Sequence, residues 1–221
     1  MLEYYSYRHP NAQKQASHLV ILLHGYGANG NNLISLTHDF HQIIPDAHFI
    51  SPNAINPCES GFPDSYQWFS LYNHKMQRRS LEELTLEIIE ANQILSNFID
   101  QNLKQLNLGY DKLFLMGFSQ GAMMAIYQGM SLQEKIAGII SFSGRVITPE
   151  MTKNNINSRP NICLIHGEQD SVLPFEHFIQ GKDLLTKHNV PFEAFAINNL
   201  DHAIDIHSIR HAQHFIKKII S

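Results

Sequence analysis

One serine of this chain lies between two glycines, in the pentapeptide GFSQG (117–121). A serine hydroxyl is a weak nucleophile in water, and it attacks a carbonyl carbon only with the help of a positioned base. The apolar run DKLFLM comes before the pentapeptide and AMMAIYQGM follows it, which predicts a strand, a sharp turn and a helix. This context is typical of a nucleophile elbow, where small glycines prevent collisions and the hydroxyl stands above the sheet. Ser119 is therefore the candidate nucleophile.

Such a serine needs a histidine base and a carboxylate that orients the histidine, in the chain order serine, acid, histidine. HGEQDSVLP (166–174) places acids directly after an apolar run, with Asp170 as the first candidate and Glu168 as its competitor. NNLDHAID (198–205) places His202 after the next apolar run. The sequence therefore predicts a triad of Ser119, Asp170 and His202.

The negative charge of a tetrahedral intermediate requires two hydrogen-bond donors. One is predicted to be the backbone N–H of Gln120, at the start of the helix after the nucleophile. The other is predicted to be the backbone N–H of Tyr26, in LHGYGANG (23–30), where glycines allow close approach. The same glycines resemble a phosphate-binding loop, but the lysine and the Ser/Thr of such a loop are missing.

Short apolar runs alternate with segments of helical periodicity, a pattern that predicts a doubly wound, mostly parallel α/β sheet. The predicted strands cover residues 18–25, 48–52, 111–118, 136–144, 161–167 and 192–197, with an antiparallel edge strand at 3–7. The predicted helices cover residues 80–106, 120–129, 175–188 and 203–220. We expect a single domain over residues 1–221, with the reactive groups at the carboxyl ends of the strands.

Residues 52–79 fit no regular element and combine prolines with aromatic residues. Long ordered loops of this kind often shape binding sites. Phe62, Trp68, Phe69 and Leu71 are therefore candidates for a wall that contacts an acyl chain, with ordinary packing of the loop on the core as the equal alternative. An exposed apolar loop is also able to mediate a homodimer.

Composition excludes several other functions. The formal net charge is −4, and no basic block is present that would follow a nucleic acid backbone. Cys163 lies in an apolar run and is predicted to be a core thiol, and two cysteines favour a reducing compartment. The N-terminus lacks the pattern of a signal peptide and no apolar run is long enough to span a bilayer, so we expect a cytoplasmic protein.

Fourteen histidines raise the question of metal binding. His207, His211 and His214 share one face of the last predicted helix, but no cysteine or carboxylate set completes a zinc site. Surface histidines are the favoured interpretation, and neither a metal nor a cofactor is expected. His24 and His166 each precede a glycine at the end of an apolar run, and we expect both to shape turns beside the site.

Six segments of the chain together resemble the phospholipase/carboxylesterase family of α/β-hydrolases, which includes the acyl-protein thioesterases. The segments are LLHGYGANGNNLI, SPNAINPCESGFPDSYQWFSL, GFSQGAMMA, SFSG, HGEQDSVLP and DHAID. The resemblance implies an α/β-hydrolase fold without a large lid, and a serine hydrolase acting on carboxylic esters or thioesters without a cofactor. It supports the roles assigned to Ser119, Asp170 and His202, and to the Tyr26 and Gln120 amides.

Two positions depart from the family pattern, since Asp201 and Ala122 stand where glycines are common. Asp201 is expected to change the charge near His202.

Three hypotheses about function follow from the sequence. The first is a hydrolase of a small or lipid-like acyl ester or thioester, acting through an acyl-enzyme. The second is a non-catalytic relative that binds a small apolar ligand, and the third is a peptidase, which is disfavoured because no segment predicts a propeller or cap domain.

Overall fold

The apolar runs form a sheet of seven strands within residues 2–13, 15–73 and 75–221, the residues that the computed structural model describes. Two further strands of two residues each pair in a separate ladder inside the long loop. The strands are β1 (Tyr4–Tyr7), β2 (Leu19–Leu23), β3 (His48–Pro52), β4 (Asn56–Pro57), β5 (Tyr66–Gln67), β6 (Leu113–Phe118), β7 (Gly138–Phe142), β8 (Ile162–Gly167) and β9 (Phe192–Ile197).

The order of strands in the sheet is β1-β3-β2-β6-β7-β8-β9. All neighbouring strands of this sheet are parallel except β1, which pairs with β3 in antiparallel register. Both the predicted parallel sheet and the predicted antiparallel edge strand are therefore confirmed.

Burial on both faces explains why the central strands are continuously apolar. Along β2, Leu19, Ile21 and Leu23 belong to one core layer, whereas Val20 and Leu22 belong to the other. Successive side chains of a strand point to opposite faces, so a sheet covered on both sides needs apolar residues at every position.

Helices cover the two faces of the sheet and supply these two core layers. In the described part of the chain the α-helices are α1 (Gly30–Ile34), α2 (Thr37–Phe40), α3 (Leu81–Leu106), α4 (Gln120–Ser131), α5 (Glu176–Lys187) and α6 (Ile206–Ile220). Helices α3, α4 and α5 pack on one face, and α1, α2 and α6 pack on the other. No helix among the described residues has both the length and the hydropathy that crossing a membrane requires.

Two of the differences from the sequence prediction concern helices. Helix α6 begins at Ile206 and not at Ala203, because Asp205 has an extended backbone and its side chain accepts the N–H of Ser208 at 2.8 Å. This N-terminal cap leaves residues 203–205 in the loop that follows His202. Helices α1 and α2, of five and four residues, have no counterpart in the prediction because they are too short to show periodicity.

Strand register places the carboxyl ends of five neighbouring parallel strands, β2, β6, β7, β8 and β9, at one edge of the sheet. Leu23 lies opposite Gly117, Phe118 lies opposite Phe142, and Gly167 lies opposite Ile197. The loops that leave β2, β6, β8 and β9 therefore start at the same edge of the sheet, where α/β proteins bind their ligands.

Candidate active site

Ser119 lies in a strained turn between β6 and α4. Its backbone has φ 53° and ψ −116°, which is unusual for a residue with a side chain. A Cβ atom at Gly117 would lie 2.4 Å from the backbone of Gly121, and a Cβ atom at Gly121 would lie 1.9 Å from the carbonyl oxygen of Leu23. Both flanking glycines are thus required by close backbone approach, as the elbow motif predicts.

The chain presents the Ser119 side chain to a cavity of about 350 Å³. His202, Tyr26 and Gln120 line the same cavity. Cavities of this size commonly hold small ligands in proteins. The structure therefore brings the candidate nucleophile, the candidate base and both candidate amide donors to one concave surface.

Asp170 is the carboxylate that meets the candidate base. Its Oδ2 lies 2.7 Å from Nδ1 of His202, and its Oδ1 accepts the N–H groups of Val172 at 3.0 Å and Leu173 at 2.7 Å. The side chain of Asp170 is fully buried, whereas Glu168 is exposed. Since a carboxylate accepts, Nδ1 of His202 carries the proton, and its Nε2 is left as a proton acceptor. The ring of Phe118 packs on this imidazole, with 4.8 Å between ring centroids.

The backbone N–H groups of Tyr26 and Gln120 are available to a ligand. Within the described residues, neither group donates a hydrogen bond to another protein atom. A Cβ atom at Gly25 would lie 3.3 Å from Cβ of Ser119, so the loop after β2 runs beside the nucleophile. An oxyanion requires two such donors, so the unused N–H groups of Tyr26 and Gln120 stay the candidates for this role.

Two buried histidines hold the loops around this site. Nδ1 of His24 donates to the carbonyl of Gly25 at 2.7 Å, and its Nε2 accepts the N–H of Ala54 at 2.9 Å. Burial lowers the pKa of His24 to about 4, so the ring is neutral at pH 7. His166, whose pKa burial also lowers, donates to the carbonyl of Leu173 at 2.8 Å. These contacts agree with the structural role expected for both residues.

Only one of the four predicted acyl-contacting residues lines the cavity, and that residue is Leu71. Trp68 and Phe69 are completely buried in the core, and Phe62 is 74% exposed and does not line the cavity. Trp68 and Phe69 therefore fit the alternative of ordinary packing of the loop on the core, and acyl contact by Phe62 stays a prediction. A loop with many aromatic residues shows no periodicity that separates inward from outward positions, so the sequence alone does not distinguish them.

The side chain of Gln120, to which the sequence analysis assigns no role, explains the burial of this segment. Its Oε1 accepts the N–H of Trp68 at 2.9 Å, and its Nε2 donates to the carbonyl of Phe69 at 2.7 Å. The indole of Trp68 donates to the carbonyl of His24 at 2.9 Å. Buried polar groups require partners, and these three bonds supply them. They also attach the loop to the turn that carries Ser119.

The three histidines of α6 and the two cysteines lie outside the site. His207 and His214 are exposed on α6, and His211 stacks on Phe195. Among the described residues, no group of three or more His, Cys, Asp or Glu side chains is arranged to hold a metal ion. Cys58 and Cys163 are free and buried, and burial raises the pKa of the Cys163 thiol, as expected for a core residue.

Comparison with known proteins assigns this chain to a protein family. A model of the phospholipase/carboxylesterase family matches residues 10–220 of the chain. The chain belongs to this family. It resembles the esterase YpfH of Escherichia coli strain K12, with 29% identity over 202 residues that cover 90% of this chain and 82% of YpfH. It also resembles acyl-protein thioesterase 1 of Emericella nidulans, with 25% identity over 225 residues that cover 95% and 93% of the two chains.

A solved structure gives the same result. The crystal structure of esterase PE8 matches with a TM-score of 0.89 and 32% identity, covering 99% of both chains. Membership of the phospholipase/carboxylesterase family confirms the resemblance inferred from the six sequence segments. It also confirms the predicted enzyme class, a hydrolase of carboxylic esters or thioesters.

Ala122, one of the two departures from the family pattern, is accommodated by a neighbouring glycine. Ala122 is completely buried in α4, one turn after the nucleophile. A Cβ atom at Gly144 would lie 2.5 Å from Cβ of Ala122. The extra methyl group therefore occupies space that Gly144 leaves free, and the turn at Ser119 is not displaced by it.

Proposed function

We propose that this protein hydrolyses carboxylic esters or thioesters of acyl chains through an acyl-enzyme formed on Ser119. The observation that carries the proposal is the hydrogen bond of 2.7 Å between Asp170 and His202. His202 lines one cavity together with the strained Ser119 and the two residues whose backbone amides are unused. This arrangement supplies nucleophile, base, orienting acid and oxyanion donors, which are the parts that acyl transfer needs.

The proposed mechanism has two stages. Nε2 of His202 takes the proton of the Ser119 hydroxyl as its oxygen attacks the acyl carbon, and the two amides hold the oxyanion. The imidazolium then gives this proton to the leaving alcohol or thiol, and an ester bond to Ser119 remains. In the second stage a water molecule gives a proton to His202 and attacks that ester, and the imidazolium returns the proton to the leaving Ser119 oxygen, which releases the carboxylic acid and restores the serine. Asp170 holds the imidazole in the required tautomer and stabilises its charged form.

The lining of the cavity supports an acyl substrate that also carries a negative charge. Apolar side chains form most of the surface near the nucleophile; they are Leu71, Phe118, Met123, Val172 and Leu173. Among the described residues of the lining, Arg78 is the one with a permanent positive charge. The guanidinium forms no hydrogen bond or ion pair with any described residue, and the Arg78 backbone bridges to Tyr72 in the cavity wall. An arginine in this position favours a carboxylate or phosphate on the substrate.

Substituting Arg78→Gln is expected to change this charge preference. We expect kcat/KM to fall about fivefold for the p-nitrophenyl monoester of adipate, which is the scale of one exposed charge pair, and to change little for p-nitrophenyl hexanoate. The two esters have acyl chains of equal length, so their comparison isolates the charge. High salt is expected to reduce the difference in the parent protein.

Arg79→Gln is the matched control, because it removes the same charge from the neighbouring residue. Arg79 bonds to Glu87 and to the carbonyl of Glu83, and it does not line the cavity. Its substitution is expected to affect both esters equally. An equal effect of Arg78→Gln on the two esters would contradict the proposed anion preference.

The alternative of a non-catalytic relative that binds an apolar ligand is distinguished by chemical labelling. A fluorophosphonate reacts only with an activated serine. We expect stoichiometric labelling of the parent protein, with the added mass on the peptide that contains Ser119, together with turnover of p-nitrophenyl butyrate. Binding of an acyl ligand without labelling or turnover would instead support the alternative.

A further inference from the structure

The loops that carry the acid and the base are connected by backbone hydrogen bonds. The loop after β8 holds Asp170, and the loop after β9 holds His202. The N–H of Glu168 donates to the carbonyl of Ile197, and the N–H of Gln169 donates to the carbonyl of Leu200, both at 3.0 Å. These bonds end before either candidate catalytic residue is reached.

Asp201 continues this connection with its side chain. Its Oδ1 accepts three hydrogen bonds of 2.8 Å each, from the N–H of Ser171, the hydroxyl of Ser171 and the N–H of His202. These bonds lower the pKa of Asp201, with the backbone N–H of Ser171 as the largest cause, so the side chain is a carboxylate at neutral pH. The carboxylate thus bonds to the backbone of both loops and does not bond to the imidazole.

The two ends of this connection are the immediate neighbours of the acid and the base. Ser171 follows Asp170 in the chain, and His202 follows Asp201. Resting on the proposed function, we infer that the Asp201–Ser171 clasp is a positioning device for the reaction, which keeps the imidazole of His202 in line with Asp170 and Ser119. Asp201 is a positioning residue in this role, since it contacts neither the substrate nor the reacting atoms.

The surroundings of His202 explain why such a device is needed. The carboxylate of Asp170 is held on its own loop by Val172 and Leu173, independently of His202. Among the described residues, the imidazole has one side-chain hydrogen bond, to Asp170, and one aromatic neighbour, Phe118. Its position relative to Asp170 therefore depends on how the two loops lie against each other. Catalytic groups need placement to within about 0.5 Å, so a small shift of one loop lowers the rate.

Because the clasp is exposed, its role in positioning is distinguishable from a contribution to the stability of the fold. Asp201 and Ser171 are both exposed, whereas Asp170 is buried. Hydrogen bonds in contact with water contribute little to the free energy of unfolding. The clasp is therefore expected to affect the rate of the chemical step more than the stability of the fold.

Four variants test the inference: Asp201→Ala, Asp201→Asn, Ser171→Ala and the double variant Asp201→Ala/Ser171→Ala. We expect Asp201→Ala to lower kcat for p-nitrophenyl butyrate about tenfold, the scale of a misplaced catalytic group, with KM and the melting temperature nearly unchanged. Asp201→Asn keeps an oxygen acceptor and is expected to retain most of kcat. Ser171→Ala keeps the backbone N–H and is expected to lose less than Asp201→Ala. The double variant is expected to lose no more than Asp201→Ala, because both substitutions remove one interaction.

Asp205→Ala is the matched control from the same loop. Asp205 also accepts the N–H and the hydroxyl of a serine, Ser208, at 2.8 and 2.7 Å, but this pair lies within one segment and does not reach the loop of Asp170. We expect this variant to lose stability, as removal of a helix cap does, while kcat of the folded protein is kept.

Three results would overturn the inference while the parent protein is active and labelled: an unchanged kcat in Asp201→Ala, an equal loss of kcat in Asp201→Asn, or an equal loss in Asp205→Ala. If Asp201→Ala fails to fold, Asp201→Asn and Ser171→Ala still decide between the outcomes. An inactive parent protein that also resists labelling would contradict the proposed function itself, so the two failures are distinguishable.

Discussion

Substituting Ser119→Ala is expected to abolish ester hydrolysis. Removal of the nucleophile from a serine hydrolase costs on the order of 10⁶ in kcat, because the oxyanion donors and the base then have no attacking group to assist. The substitution removes one oxygen atom from a half-buried side chain and keeps the backbone turn. We therefore expect an unchanged melting temperature, no labelling by a fluorophosphonate and a kcat for p-nitrophenyl butyrate that is lower by this factor.

Ser143→Ala provides the matched control for this experiment. Ser143 follows the neighbouring strand β7, and its φ of 49° is also in the left-handed region, but its side chain is buried and does not line the cavity. This variant is expected to be labelled and to keep most of the turnover. Full activity of Ser119→Ala would sink the proposed mechanism.

Substituting Asp170→Asn is expected to have the second largest effect, a loss of about 10⁴ in kcat, the scale known for the same change in a serine protease. The two backbone donors on Oδ1, from Val172 and Leu173, require an oxygen at that position. The new amide NH₂ must then face Nδ1 of His202, so Nδ1 becomes the acceptor and Nε2 carries the proton. In this tautomer Nε2 is unable to take the proton of Ser119.

Glu168→Gln is the matched control for the acid, since Glu168 is the competing carboxylate of the same loop. It is exposed, and its backbone is tied to Ile197 without involving the side chain. We expect the Glu168→Gln variant to hydrolyse p-nitrophenyl butyrate at the rate of the parent protein. Steady-state kinetics of both variants decide which carboxylate is the acid, with circular dichroism to verify folding. A large loss of kcat in Glu168→Gln with little loss of kcat in Asp170→Asn would reverse the assignment.

The fold was predictable because its determinants are local and repeated. A strand that is buried on both faces must be apolar at each position, as β2 is, and the capping box of Ser80 and Glu83 marks the start of α3. The boundary of α6 was not predictable, because Ala203 and Ile204 are compatible with a helix and only the cap at Asp205 determines where it begins. A cytoplasmic location, the absence of a cofactor and a homodimer contact stay predictions.

The sequence by itself determined the chain order of the proposed catalytic groups: a serine in an elbow, then an acid and then a histidine, each after an apolar strand. It did so because glycines at 117 and 121 and apolar runs act within a few residues of each group. Only the tertiary structure decided that Asp170 and not Glu168 meets His202, that Trp68 is in the core, and that Asp201 bonds to Ser171, 30 residues away. The reason is physical, since these contacts depend on how loops from different strands lie against each other, and strand register and loop path set those distances.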